Sequence, residues 1–345
     1  MREDGGAARH FVLPTLTHVA LSRLPKLKWI LEGGHTLEWP SLKELRLWDC
    51  GQEANVIFVV KECAFPNLEV LSLHFNRIVR PSKFSDFPPS FLTRMPNLLV
   101  LEVYDSGWEE IFPHELFDPE VQVLTVPRLR GLVLDCLPML AHLWKEDTQP
   151  CPLFNNLEIL KVRKCDKLRI LVPSSVSLQN LTDLSISNCH GLINLVTSST
   201  ARTLLQLKKM TISKCKMITK IVAKEDGDAN VPITFNKLTY LELDGLPNLT
   251  NFCSGAYSFG FPSLEKVIVS CCPEMKTFCQ GILSTPKLRG VQATKDDSHW
   301  EHDLNTTTLR LWESNHDDTL KGKYILKHLQ NHEFLSLNAM ICNYK

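Results

Sequence analysis

One phrase recurs along this chain and leaves few folds open to it: apolar-x-x-apolar-x-apolar-x-x-(Cys, Leu or Asn)-x-x-apolar. The clearest copies are Leu157-x-x-Leu160-x-Val162-x-x-Cys165-x-x-Leu168 and Leu181-x-x-Leu184-x-Ile186-x-x-Cys189-x-x-Leu192. Others start at Leu16, Leu42, Leu68, Leu98, Leu129, Leu207, Leu238, Leu264 and Leu288, which makes about eleven units spaced 24 to 31 residues apart. A period of this length marks supersecondary units that cannot bury an apolar face alone and must stack to do so.

Within a unit, Leu160 and Val162 alternate with Ile159, Lys161 and Arg163. Period two means a short strand with one face buried. With about three pairing residues per unit, no such strand is stable by itself, and stacking merges them into one parallel sheet over a leucine column. After Cys165 the period changes, and Leu168 and Leu171 turn inward from a return segment expected to be irregular, 3₁₀ or briefly helical. The fold class is therefore α/β: a leucine-rich-repeat solenoid with a curved parallel sheet on its concave face. A length of 345 residues strains a single compact core but not a solenoid, whose units touch only their neighbours.

Two kinds of unit appear. One carries cysteine or a polar residue three places after the strand (Cys50, Asn76, Ser106, Cys165, Cys189, Cys215, Cys272); the other carries leucine then proline (Leu24-Pro25, Leu137-Pro138, Leu246-Pro247). An aromatic or methionine followed by proline or asparagine often opens a unit, as in Trp39-Pro40, Phe65-Pro66, Met95-Pro96, Phe154-Asn155, Phe235-Asn236 and Phe261-Pro262. Proline forces extended geometry on the residue before it, and the bulky side chain is expected to plug the core. Repeats loosen at 80–94, 105–127 and the acidic loop 222–234. The expected division is an N-terminal extension (1–11), the solenoid (12–295) and a C-terminal cap or partly disordered tail (296–345), with a weak helical phrase around Leu320, Tyr324, Ile325 and Leu329.

Lysine plus arginine equals aspartate plus glutamate at 38 each, so a general grip on nucleic acid or anionic lipid is not expected. The twelve cysteines form no C-x-x-C, and several hold one packing position, which suits reduced thiols in a reducing compartment. Met1 to His10 has no apolar signal region, and no apolar run is long enough to span a membrane. Sequons at Asn180, Asn248 and Asn305 are read as chance. No phosphate loop, dinucleotide fingerprint, nucleophile elbow or zinc-protease motif occurs. His299 with His302 and His328 with His332 lack partners for a metal set. We expect no catalysis, no cofactor and no metal.

Function then rests on the outward strand positions. Register places Arg46 and Trp48, Ser72 and His74, Glu102 and Tyr104, Val133 and Asp135, Lys161 and Arg163, Ser185 and Ser187, Thr211 and Ser213, Glu242 and Asp244, and Ile268 and Ser270 on the concave wall. The residue ahead of the strand adds Lys209 and Tyr240. Trp48, His74 and Tyr104 fall in successive rungs about 5 Å apart and should form one aromatic ridge, which is anchor material for a protein partner. Arg46, Trp48, His74, Tyr104, Lys161, Arg163, Lys209, Tyr240, Glu242 and Asp244 are the expected partner-binding residues.

Phrases such as Phe65-Pro-Asn-Leu-Glu-Val-Leu, Leu241-Glu-Leu-Asp-Gly-Leu-Pro-Asn-Leu and Phe261-Pro-Ser-Leu-Glu-Lys-Val-Ile-Val-Ser-Cys-Cys-Pro-Glu-Met-Lys resemble the C-terminal repeats of plant intracellular disease-resistance proteins. These are the coiled-coil, nucleotide-binding, leucine-rich-repeat receptors. The phrase Pro286-Lys-Leu…His299-Trp-Glu…Asp303-Leu-Asn-Thr-Thr resembles the end of that region, so the likeness covers about residues 12–312. It implies a cytoplasmic or nuclear module of innate immunity that binds a pathogen effector, a guarded host protein or a nucleotide-binding switch domain. The coiled coil and nucleotide-binding domain are not present in this sequence, so nucleotide chemistry is not carried over. The alternatives are a ubiquitin-ligase substrate adaptor, for which Met1 to Leu13 leaves no room for an F-box, and a general interaction scaffold.

Overall fold

The computed structural model describes residues 9–24, 36–50, 65–75, 95–111, 129–143, 155–172, 174, 176–225, 231–253, 255, 257–294 and 297–316. Twelve strands form the main sheet. In chain order they are β1 (His18–Leu24), β2 (Glu44–Cys50), β3 (Val70–His74), β4 (Val100–Tyr104), β5 (Gly131–Asp135), β6 (Ile159–Arg163), β7 (Asp183–Ser187), β8 (Lys209–Ser213), β9 (Tyr240–Asp244), β10 (Lys266–Ser270), β11 (Val291–Thr294) and β12 (Asp297–His299). Each of the first ten pairs parallel with the next, and β12 turns back antiparallel on β11. Counted as closed turns, the solenoid has about eight, a little fewer than the eleven units of the sequence. The first rung is less well covered than those that follow. Val19 and Leu21 of β1 stay only partly covered, whereas Leu45 and Leu47 one rung on are at most 1% exposed.

The alternation within each strand sets this register. Leu160 and Leu184 are wholly buried and pair directly, as do Val162 and Ile186. Five residues pair in each central rung, not the three expected, because the residues flanking the inward pair also join the ladder. Each unit is bent by two tight turns. Before the strand, the amide of the first leucine donates to the carbonyl three residues back: Leu68 to Phe65 at 3.4 Å, Leu98 to Met95 at 3.0 Å, Leu264 to Phe261 at 3.3 Å. After it the same bond recurs from Leu168 to Cys165 at 3.3 Å and Leu249 to Leu246 at 3.2 Å. The opening aromatics plug the core as expected. Phe65, Phe235 and Phe261 have no exposed surface, and the last two stack at 5.3 Å.

Polar side chains finish the turns. Asn67, Asn97, Asn180 and Asn248 each donate an amide to a turn carbonyl of the preceding unit at 2.6–2.7 Å. At the cysteine position the thiol donates weakly to the carbonyl two residues back, in Cys50, Cys165, Cys189, Cys215 and Cys272, at 3.3–3.5 Å. All nine described cysteines are free thiols, eight of them buried. Burial pushes the Cys272 thiol up to about 12.

The return segments differ from expectation. Asn194–Thr197, Lys220–Ala223 and Asn251–Cys253 form a second parallel sheet, and Ile233–Thr234, Phe259–Gly260 and Leu283–Ser284 a third. Neighbouring turns of matched length bring apolar, strand-favouring residues (Val196, Val222 and Cys253; Ile233 and Phe259) into register, so the backbone pairs across turns rather than coiling. Among the described residues one short helix, α1 (Ser198–Thr203), lies on this side. At the C-terminal end a second helix, α2 (Leu304–His316), packs against β11 through buried Leu304, Thr307 and Thr308. Asp303 caps it by accepting from the Thr306 amide at 2.8 Å. This helix lies ahead of the phrase around Leu320, which falls outside the described residues, as do Asn76, Phe154, the 80–94 insertion, most of 105–127, the 226–230 part of the acidic loop, and His328 and His332.

Candidate interaction face

The outward positions line up as three rows along the sheet. The row nearest the strand ends runs Trp48, His74, Tyr104, Asp135, Arg163, Ser187, Ser213, Asp244 and Ser270. The middle row runs Arg46, Ser72, Glu102, Val133, Lys161, Ser185, Thr211, Glu242 and Ile268. The row at the strand starts includes Val70, Val100, Gly131, Ile159, Asp183, Lys209, Tyr240 and Lys266.

The first three rings of the strand-end row touch. Trp48 and His74 stack with centroids 4.8 Å apart, and His74 meets Tyr104 at 5.5 Å. Trp48 is 59% exposed, an unusual amount for an indole that has a neighbour to lean on. The middle ring is fixed from below: His74 Nε2 lies 2.7 Å from Asp105 Oδ2. Asp105 escaped the sequence reading because it sits one residue past the strand, in the left-handed region at φ 52°. Its signal was the short polar side chain at a turn that demands positive φ, shared with Asp49.

Most charges here are spoken for. Arg46 Nε binds Glu44 on the same strand. Arg163 grips Asp135 Oδ2 through Nε at 2.8 Å and through Nη2 at 2.5 Å. Each hydrogen bond to a carboxylate holds its guanidinium above the ordinary range. Burial, reinforced by the charges of Glu102 and Asp135, raises the Tyr104 phenol. Five ladder steps further on, about 24 Å along the sheet, Tyr240 donates to Glu242 at 2.7 Å. Lys209 and Lys266 lie over its ring at 5.3 and 5.7 Å. Burial, with that hydrogen bond, pushes the Tyr240 phenol up to about 12. Lys266, one rung beyond the residues expected, completes this cluster.

The structure thus brings the expected residues together as two groups, Arg46–Trp48–His74–Tyr104 and Lys209–Tyr240–Glu242. Lys161, Arg163 and Asp244 stand outside both. Among the described residues no group of three or more His, Cys, Asp or Glu side chains is placed to hold a metal. None of the described helices is long and apolar enough to cross a membrane.

Residues 57–177 and 177–283 match a family model described as plant disease resistance protein RPS2-like, leucine-rich repeats. Comparison with curated proteins and with solved structures returns no match.

Proposed function

We propose a role from one premise: this chain belongs to the leucine-rich repeats of RPS2-like plant disease resistance proteins. That family supplies protein-interaction modules of plant immunity, and its solenoid is typically a non-catalytic binding surface. Our finer reading is that the concave face holds a protein partner, either a pathogen effector or guarded host protein, or the nucleotide-binding switch domain that such repeats restrain. Members of the family are typically intracellular, and we place this chain in the cytoplasm or nucleus.

The observation that supports this most is the Trp48–His74–Tyr104 stack. An indole left 59% exposed on a rigid strand, braced by a histidine itself held by Asp105, keeps a large apolar surface in water at a cost that burial against a partner removes. Strand-borne side chains also lose little freedom on binding.

The test is binding in trans to the nucleotide-binding domain of an RPS2-like receptor, and to effectors that such receptors detect. Trp48→Ala and Tyr104→Ala should weaken the complex at least about tenfold, as truncated anchors do. Their thermal unfolding should stay close to the parent's, since Trp48 is exposed. Undiminished binding by both variants refutes the assignment of the face, and loss of folding refutes the outward placement of these side chains.

A further inference from the structure

The chain contains two copies of one device, and only one of them is filled. In β9 a tyrosine hydroxyl meets the glutamate two residues away on the middle row, Tyr240 to Glu242, and two of the chain's own lysines cover the ring. In β4 the same two residue types sit two apart in reverse order, Glu102 and Tyr104, and the carboxylate helps to raise the phenol. Among the described residues no lysine or arginine closes on this second pair. The rung neighbours of Glu102 are Ser72 and Val133, and those of Tyr104 are His74 and Asp135. Arg46 and Lys161 lie on the middle row two rungs to either side of Glu102; Arg46, whose charge reaches both Glu102 and Tyr104, is bound by Glu44, and Arg163 by Asp135.

The surroundings of Glu102 are shaped for a side chain that is part apolar and part cationic. Ser72, only 8% exposed, leaves a low step between Arg46 and Glu102. Along one flank runs the aromatic stack Trp48–His74–Tyr104; along the other run Val70, Val100 and the exposed Ile159. A carboxylate between an aromatic wall and an aliphatic wall takes an aliphatic stem and a positive head together.

Resting on the reading of this face as a protein-binding surface, we propose that the notch over Ser72 receives a lysine or arginine of the partner, its cation on Glu102 and over Tyr104 or Trp48, its stem against Val70 and Val100. The partner contributes the cation that Lys209 and Lys266 contribute internally to Tyr240. Partner segments that dock here are basic and aliphatic at this point, and acidic segments are repelled by Glu102, Asp105 and Asp135.

The probe is a displayed library of random dodecapeptides panned on the full chain, followed by affinity measurement of individual synthetic hits. Lysine or arginine flanked by aliphatic residues should dominate the hits. Glu102→Lys should weaken them at least about tenfold, and so should raising salt to 0.5 M, since partly exposed ion pairs are screened. Glu265→Lys, at an exposed position ahead of β10 and outside the face, should leave them unchanged. Hits that lack basic residues, hits indifferent to Glu102→Lys, or no hits at all overturn the proposal. Non-basic hits that are still lost with Trp48→Ala would sink the cation notch alone and leave the broader reading of the face standing. Unfolding midpoints of the variants, matched to the parent, keep a folding defect from passing as a binding one.

Discussion

Asn305 tests how the solenoid is closed. Its side-chain oxygen, on the second residue of α2, accepts from the Phe278 and Cys279 amides at 3.0 Å each and from the Thr277 hydroxyl at 3.1 Å. Phe278 and Cys279 are at most 1% exposed, so truncation leaves two buried amides unmet. Each such orphan costs about 1–3 kcal/mol. Alanine's better helix propensity returns about 0.5 kcal/mol near the helix start. Asn305→Ala should therefore weaken the last turn by about 3 kcal/mol, which corresponds to about a hundredfold faster amide exchange. Because units touch only their neighbours, the loss should stay local. Hydrogen exchange read by mass spectrometry should show it in the segment 277–316 and not in β6 to β8. Asn305→Asp, which keeps an acceptor oxygen, should lose less than about 1 kcal/mol. Exchange altered less than about threefold, or raised evenly across the solenoid, would show that the Asn305 contacts do not hold the cap.

Two other consequences concern the strand exits and the thiols. The residue after each strand from β4 to β10 sits in the left-handed region, mostly without being glycine: Lys164 at φ 54°, Asn188 at 53°, Lys214 at 55°, with Gly245 at 64°. Lys164→Gly should raise stability by about 0.5–1 kcal/mol, and Gly245→Ala, whose added carbon meets Lys214 Cγ at 3.3 Å, should lower it by about 1 kcal/mol in chemical denaturation. The Cys272 thiol is raised by burial from 9.0 to about 12, so the folded state holds its proton where the unfolded chain has released it. Its contribution to stability is complete below pH 9 and is lost as pH rises through 12. The denaturation midpoint of the parent minus that of Cys272→Ala should fall across this window, and a flat difference would contradict the buried placement.

What could be read from sequence tracks how local the cause is. Strand register was legible because inward and outward positions are set by a two-residue alternation, so Leu160 and Leu184 fell inward and Lys161 and Arg163 outward without reference to the rest of the chain. The two small sheets of the return side were not, because Val196 pairs with Val222 only when neighbouring turns match in length. Asn305 was dismissed as a chance sequon, since its three donors lie 26 to 28 residues upstream and no local pattern points to them. The other two sequons, Asn180 and Asn248, likewise spend their amides on the turn of the preceding unit.

The same distinction governs the interaction face. Sequence lists its charges as equals, but the structure divides them by whether a partner within the chain already holds them. Arg46 and Arg163 are bound to Glu44 and Asp135, and His74 is bound to Asp105, so replacing any of them disturbs the geometry of the aromatic row before it removes a contact from outside. Internally paired side chains have already given up their freedom and much of their field, and they act as braces that fix the register of a partner rather than as its anchors. The uncovered indole of Trp48 and the carboxylate of Glu102, which no ion pair closes, have more to gain from association. Both sit in the N-terminal third of the ladder, on rungs two steps apart, close enough for a single side chain of a partner to span.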